Sequence, residues 1–128
     1  MKRVLWISRH QMTPEQRADL ERVLGDAVEL HPWRETVENL ADLRPELEQA
    51  DAVAAVLPVE RLAELLRLAE GRPVLQAAAV RTSTGRMRTL PDGRREPEFS
   101  FAHGGWRQIL RLELEIRDLS GEKFLAQP

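Results

Sequence analysis

Ser8, Arg9 and His10 put a hydroxyl, a guanidinium and an imidazole on consecutive positions, directly after an apolar run at residues 4–7. An imidazole titrates near neutrality, so His10 can serve as acid or base, or hold phosphate as a cation. The alternative is a histidine that caps the turn or orients a ligand without chemistry. Arg9 offers the two-pronged geometry that suits phosphate, or else a salt bridge. Ser8 can donate a hydrogen bond or cap the turn, and no Ser–His–acid order marks it as a nucleophile. Thr13-Pro14-Glu15-Gln16 follows. Thr13 is a good N-cap, Pro14 fits the first helical position, and Gln16 completes a capping box. A helix starting there adds backbone N–H groups and a positive dipole end, which suit an anion and bring Thr13 among the candidate ligand contacts.

These residues need a scaffold, and the hydrophobic pattern supplies one. Residues 4–7 read as a buried strand. Residues 13–24 read as an amphipathic helix stopped by Gly25. Residues 26–31 form a second strand broken by Pro32-Trp33. Leu40, Leu43, Leu47 and Ala50 recur at helical spacing, with Pro45 restarting or kinking that helix. Residues 52–57 are continuously apolar, as in a central parallel strand. Pro58 opens a helix over residues 59–69 that Gly71 ends, and residues 73–80 make a fourth strand. Strand–helix alternation of this kind predicts a mainly parallel sheet flanked by helices. Beyond residue 80 the pattern predicts a hairpin (87–90 and 98–102) on a Pro91-Asp92-Gly93 turn. A half-buried last strand follows at 108–117, where Leu110, Leu112, Leu114 and Ile116 alternate with charged residues. One domain is expected over 1–128: a βα core (1–80), a hairpin and last strand (81–118), and a loose tail (119–128).

In open α/β sheets ligands bind outside the carboxyl ends of the strands. That edge gathers Ser8, Arg9 and His10 after the first strand, and Pro58 after the third, where a plain turn is the alternative. Arg81, Thr82, Ser83 and Thr84 follow the fourth strand, as a phosphate- and ribose-binding loop or an ordinary polar one. Trp106 and Trp33 can stack on a base or pack the hairpin. Trp6 reads as core and His31 as structural.

Composition narrows the classes. The 128 residues contain no cysteine, which removes disulfides and thiolate sites. The three histidines lie far apart, with no metal-ligand spacing, so no metal is expected. No GxGxxG or GxxxxGK fingerprint is present and no cofactor is expected. No apolar run reaches membrane-spanning length and no signal-peptide pattern opens the chain, so the expectation is a cytoplasmic protein without a membrane partner. The formal charge is −2, which speaks against coating a long nucleic acid. Residues 81–111 nonetheless carry seven arginines against Asp92, Glu96 and Glu98, a local +4 on a body of −6. A basic segment on an acidic body fits a discrete anionic ligand, or a solvated arginine-rich hairpin.

Two resemblances follow from these residues. "SRH" after the first strand, "TPEQ" opening the helix, "LPV" after the third strand and the late arginine- and hydroxyl-rich segment resemble the small single-domain CRISPR-associated proteins with a CARF-like, Rossmann-like fold. The resemblance spans residues 4–106. It implies a homodimer that binds a cyclic oligoadenylate across its two-fold axis, with cyclic tetra-adenylate the ring expected. Several members are ring nucleases, which implies metal-independent cleavage by attack of a ribose 2′-hydroxyl, leaving 2′,3′-cyclic phosphate ends. Ser8, Arg9, His10 and Arg81 are suited to that chemistry. A sponge or sensor that binds the ring without turnover would use the same residues. Arg9-His10 and His103-Gly104-Gly105 also resemble the two histidine motifs of histidine phosphatases, which would imply a phosphomonoesterase; Gln11 stands where that family has glycine.

Overall fold

The computed structural model describes residues 1–35 and 38–119. The order is β1 (Lys2–Ile7), α1 (Pro14–Leu24), β2 (Val28–Trp33), a 3-10 turn (Leu40–Leu43), α2 (Arg44–Gln49), β3 (Ala52–Ala55), α3 (Val59–Ala69), β4 (Val74–Thr89) and β5 (Arg95–Gln108). The protein is α/β, with a five-stranded mixed sheet in the order β2-β1-β3-β4-β5. The first four strands are parallel, and β5 returns antiparallel to β4.

Alternation along the central strands sends side chains into two cores. Leu5 and Ile7 of β1 and Val53 and Ala55 of β3 join Leu43, Leu47, Leu62 and Leu65 on the α2/α3 face. Val4, Trp6, Ala52 and Ala54 join Leu20 and Leu75 on the opposite face, under α1. With both faces covered, β1 and β3 can be apolar throughout. The α1 helix starts as its sequence dictates. The Thr13 hydroxyl accepts from the Gln16 amide (3.1 Å) and the Thr13 amide donates to the Gln16 side chain (2.9 Å). Gly25, at φ 72°, ends it in the left-handed conformation that glycine adopts without strain. Pro45 sits in the first turn of α2, so it restarts the helix after the 3-10 turn.

Three expectations are corrected. Pro32 does not break the second strand: β2 runs on to Trp33, with Trp6 opposite Pro32 and Ile7 opposite Trp33. As the edge strand, β2 loses no ladder bond to proline's missing N–H. Arg81, Thr82, Ser83 and Thr84 are not a loop. They lie inside β4, which continues without interruption to Thr89 and pairs with β5 as one long hairpin. The turn is where Asp92-Gly93 puts it, with the Gly93 amide donating to the Leu90 carbonyl (2.9 Å). Finally, the predicted strand at 108–117 does not form. Only Gln108 belongs to β5, and residues 109–119 adopt no regular structure. Its alternation is genuine, but no strand edge among the described residues takes it up. The tail beyond residue 119 lies outside the described residues. No helix among the described residues is long and apolar enough to cross a membrane.

Candidate functional site

The chain leaves β1 for β2 on one side and later crosses to β3 on the other, so the direction of winding reverses between β1 and β3. At such a reversal the connections diverge and leave a crevice at the carboxyl ends. An open cleft of about 390 Å³ lies there, lined by Ser8, Arg9, His10, Trp33, Arg34, Leu57, Pro58 and Arg61, among others. The predicted cluster after the first strand and Pro58 after the third therefore share one cleft.

Local hydrogen bonds fix the 8–10 turn. Ser8, 7% exposed, accepts the His10 amide on its Oγ (3.1 Å) and donates its own amide to the Trp33 carbonyl (3.2 Å). The Trp6 indole N–H donates to the His10 carbonyl (2.9 Å). Ser8 is thus the brace that turns the chain, and the exposed side chains of Arg9 and His10 are carried on a backbone tied at both ends. The His10 ring itself has no hydrogen-bond partner among the described residues.

The opposite wall is the start of α3. Its N-cap is Pro58, which has no side-chain acceptor, and among the described residues no side chain caps this helix. The first intrahelical bond runs from the Leu62 amide to the Pro58 carbonyl (2.9 Å). The preceding N–H groups and the positive dipole end are left for an anion or for water. Arg61, in that first turn, points a guanidinium N–H at the Glu38 carbonyl (3.1 Å). Together with Arg9 and Arg34 it makes the cleft cationic, with Glu35 the acidic residue on its lining. The arrangement can bind a phosphate-like anion by charge and by backbone N–H, with His10 at hand for proton transfer. Arg34 and Arg61 are not singled out by the sequence, whereas Trp33, read there as a base-stacking or packing residue, lines the cleft. A usable signal existed for Arg61, since it falls three residues after a proline N-cap that cannot cap.

Other predicted residues lie elsewhere. Thr13 is engaged in the capping box, so α1 presents a satisfied start, and Thr13 borders a neighbouring hollow with Pro14, Arg17 and Pro32. Arg81 to Thr84 stand on β4 and do not line the cleft; Arg81 stacks on the Phe99 ring, 4.2 Å from its centre. Trp106 packs. Its indole donates to the Gln16 carbonyl (2.9 Å) and meets Trp6 edge-on at 6.0 Å. His103 contacts Asp19 through Nε2 (2.8 Å), holding β5 to α1, and it does not line the cleft that holds His10. Among the described residues no group of three His, Asp or Glu side chains is arranged to hold a metal ion. Comparison with family profiles, with curated proteins and with solved structures returned no match for this chain.

Proposed function

We propose that the β1/β3 cleft binds a phosphodiester of a cyclic oligoadenylate, and that the protein is a CARF-like, Rossmann-like ring nuclease acting as a homodimer. The observation that carries this reading is the α3 start. It is a helix N-terminus without a side-chain cap, opening into the same cleft as Arg9, Arg34, Arg61 and His10. In the proposed reaction a ribose 2′-oxygen attacks the adjacent phosphorus, the 2′-O–P bond forms and the P–O5′ bond breaks. The 2′-hydroxyl proton goes to a base and the departing 5′-oxygen takes one up. The arginines and the α3 amides neutralise the charge that grows on the phosphate oxygens. His10 lines the same cleft, and in this reading it handles one of the two protons. A binding-only sponge or sensor is favoured by one observation: among the described residues no group holds the His10 ring by a hydrogen bond. The phosphomonoesterase reading loses its second histidine to Asp19.

The test is incubation with cyclic tri-, tetra- and hexa-adenylate in EDTA, with products separated by chromatography and binding measured in parallel. Conversion of cyclic tetra-adenylate to linear products with cyclic phosphate ends is expected. His10→Ala should cut turnover on the order of 100-fold while leaving affinity almost unchanged, as for loss of a general acid or base. Arg9→Ala and Arg61→Ala should each weaken binding roughly tenfold or more, the value of one charge-assisted hydrogen bond. Tight binding without products leaves the sponge, and absence of both binding and cleavage removes the reading.

A further inference from the structure

β4 pairs with β3 only from Val74 to Gln76, and from Ala77 to Thr89 its sole strand neighbour among the described residues is β5. This ribbon therefore rises past the carboxyl ends of β1 and β3 for about 40 Å. Residues opposite one another in an antiparallel ladder share a face, and so does every second residue along a strand. The register sets Arg81 opposite Phe101, Ser83 opposite Phe99 and Thr89 opposite Arg95. Arg81, Arg95, Phe99 and Phe101 thus share one face. It is the face toward α1, because His103, two residues beyond Phe101, reaches Asp19. Glu96 and Glu98 fall on the other face, with Arg88 opposite Glu96. Charge is segregated accordingly. Arg88 is paired with Glu96, and Arg94 in the turn with Asp92 (2.6 Å). Arg81 and Arg95 have no ion-pair partner among the described residues.

We propose that the α1-side face of this ribbon docks a single strand of nucleic acid. Exposed flat groups carry the argument. Phe101 is 70% exposed and Phe99 38%, and the Arg81 guanidinium lies over the Phe99 ring, 4.2 Å from its centre. A guanidinium plane backed by a ring is itself a stacking surface, and it is held in place before any ligand arrives. Its N–H groups suit a phosphate alongside. Phe99 and Phe101 repeat at about 7 Å along one strand, so they offer successive platforms to the bases of an extended chain. Arg95 lies about 20 Å from Phe101 along β5. That span gives a site of about four nucleotides, the short end of single-strand sites. At its foot, an open hollow of about 530 Å³ between Phe101, Ala79 and the start of α1 leaves room for a further base. Net charge agrees. Residues 80–102 carry five arginines against Asp92, Glu96 and Glu98, net +2, and the rest of the chain carries −4. A polyanion is therefore held on the ribbon and repelled by the body, which makes a short grip rather than a coat. An acidic peptide answers the arginines but brings no flat group at every repeat. None of these residues lines the β1/β3 cleft, so the inference stands apart from what the cleft binds.

Fluorescence anisotropy of labelled oligouridine and oligodeoxythymidine, twelve nucleotides each, tests it on the full chain in low salt. A dissociation constant on the order of 10 μM is expected for both, in the range of sequence-independent binding, since the face meets charge and flat bases rather than the sugar. Two engaged phosphates should give a slope of about −1.4 for the logarithm of affinity against that of salt. Phe101→Ala should weaken binding about tenfold or more, the value of one base stacked on a ring, and Phe101→Trp should restore it. Val80→Thr, on the opposite face, should leave affinity unchanged, and so should Arg61→Ala in the cleft. No binding of either strand at about 100 μM protein overturns the proposal, a concentration well above the expected constant. Affinity that survives Phe101→Ala, or that falls as far in Val80→Thr or Arg61→Ala, overturns it too. Preference for a twelve-residue peptide of alternating Glu and Phe over both strands would assign the face to a protein partner instead.

Discussion

Asp19 and His103 lie 84 residues apart and meet at 2.8 Å, with the imidazole only 10% exposed. The hydrogen bond from His103, aided by Arg22 at 2.7 Å, holds the Asp19 carboxyl below its ordinary value of 3.8. A carboxyl whose pKa is lowered on folding stabilises the folded state above its unfolded value. That contribution fades as pH falls through the folded value, so the sensitive window lies below about pH 4. Asp19→Asn keeps an acceptor but cannot titrate. In urea unfolding measured from pH 2.5 to 7, the wild-type protein should lose stability more steeply below pH 4 than the variant does. Parallel curves would mean that the pair contributes nothing in solution. The same residue scale shows what sequence could and could not deliver. Thr13 and Gln16 act within one turn of helix, and their spacing alone defines the capping box. The partner of His103 lies on another element, and no local pattern around "HGG" points to Asp19.

At the scale of elements, that "HGG" is a structural device. Ala77 faces Trp106 and Ala79 faces His103, so Ala78 alone stands opposite Gly104 and Gly105. Such a bulge adds twist to the strand and re-aims its side chains, and here it lies between Trp106 and His103, both of which reach α1. A Cβ at Gly104 would sit 2.7 Å from Val80 Cγ2 and 3.3 Å from the Ala78 carbonyl oxygen and the Val80 amide. Gly104→Ala should therefore cost about 1–3 kcal/mol, the range for overpacking against neighbours that cannot all move. Urea unfolding with an unchanged m-value would read this, and a loss below 0.5 kcal/mol would mean that Val80 swings clear. The four parallel strands and the three helices were legible because their apolar periods are set by burial on known faces. The hairpin was read too short, since Arg81 to Thr84 are polar and a polar stretch after an apolar strand looks like a loop. A two-stranded ribbon in solvent does not need apolar alternation to keep its ladder. The opposite error at residues 108–117 has the same root, because alternation records a wish for a partner strand and says nothing of whether one is in reach.

On the scale of the whole molecule, the protein is built of two parts with different support. Val4 to Ile7 and Ala52 to Ala55 are at most 3% exposed, clamped between α1 on one face and α2 and α3 on the other. Their amides can reach water only when both helical layers leave the sheet, which is global unfolding. Among the described residues, the outer part of the β4–β5 ribbon has no helix on either face and one ladder of hydrogen bonds, interrupted between Ser83 and Met87. It can open without disturbing either core, and regions that open locally exchange at free energies well below the global value. Native-state hydrogen exchange should therefore divide β4 along its length. The Leu75 and Gln76 amides should be protected like those of β1 and β3. Those of Met87 to Thr89 should exchange faster by on the order of 100-fold or more. Since the Ser8–His10 turn and the α3 start are both anchored in the protected part, the cleft should keep its shape while the ribbon opens. Uniform protection from Val74 to Thr89 would contradict this division and make the ribbon one cooperative unit with the sheet.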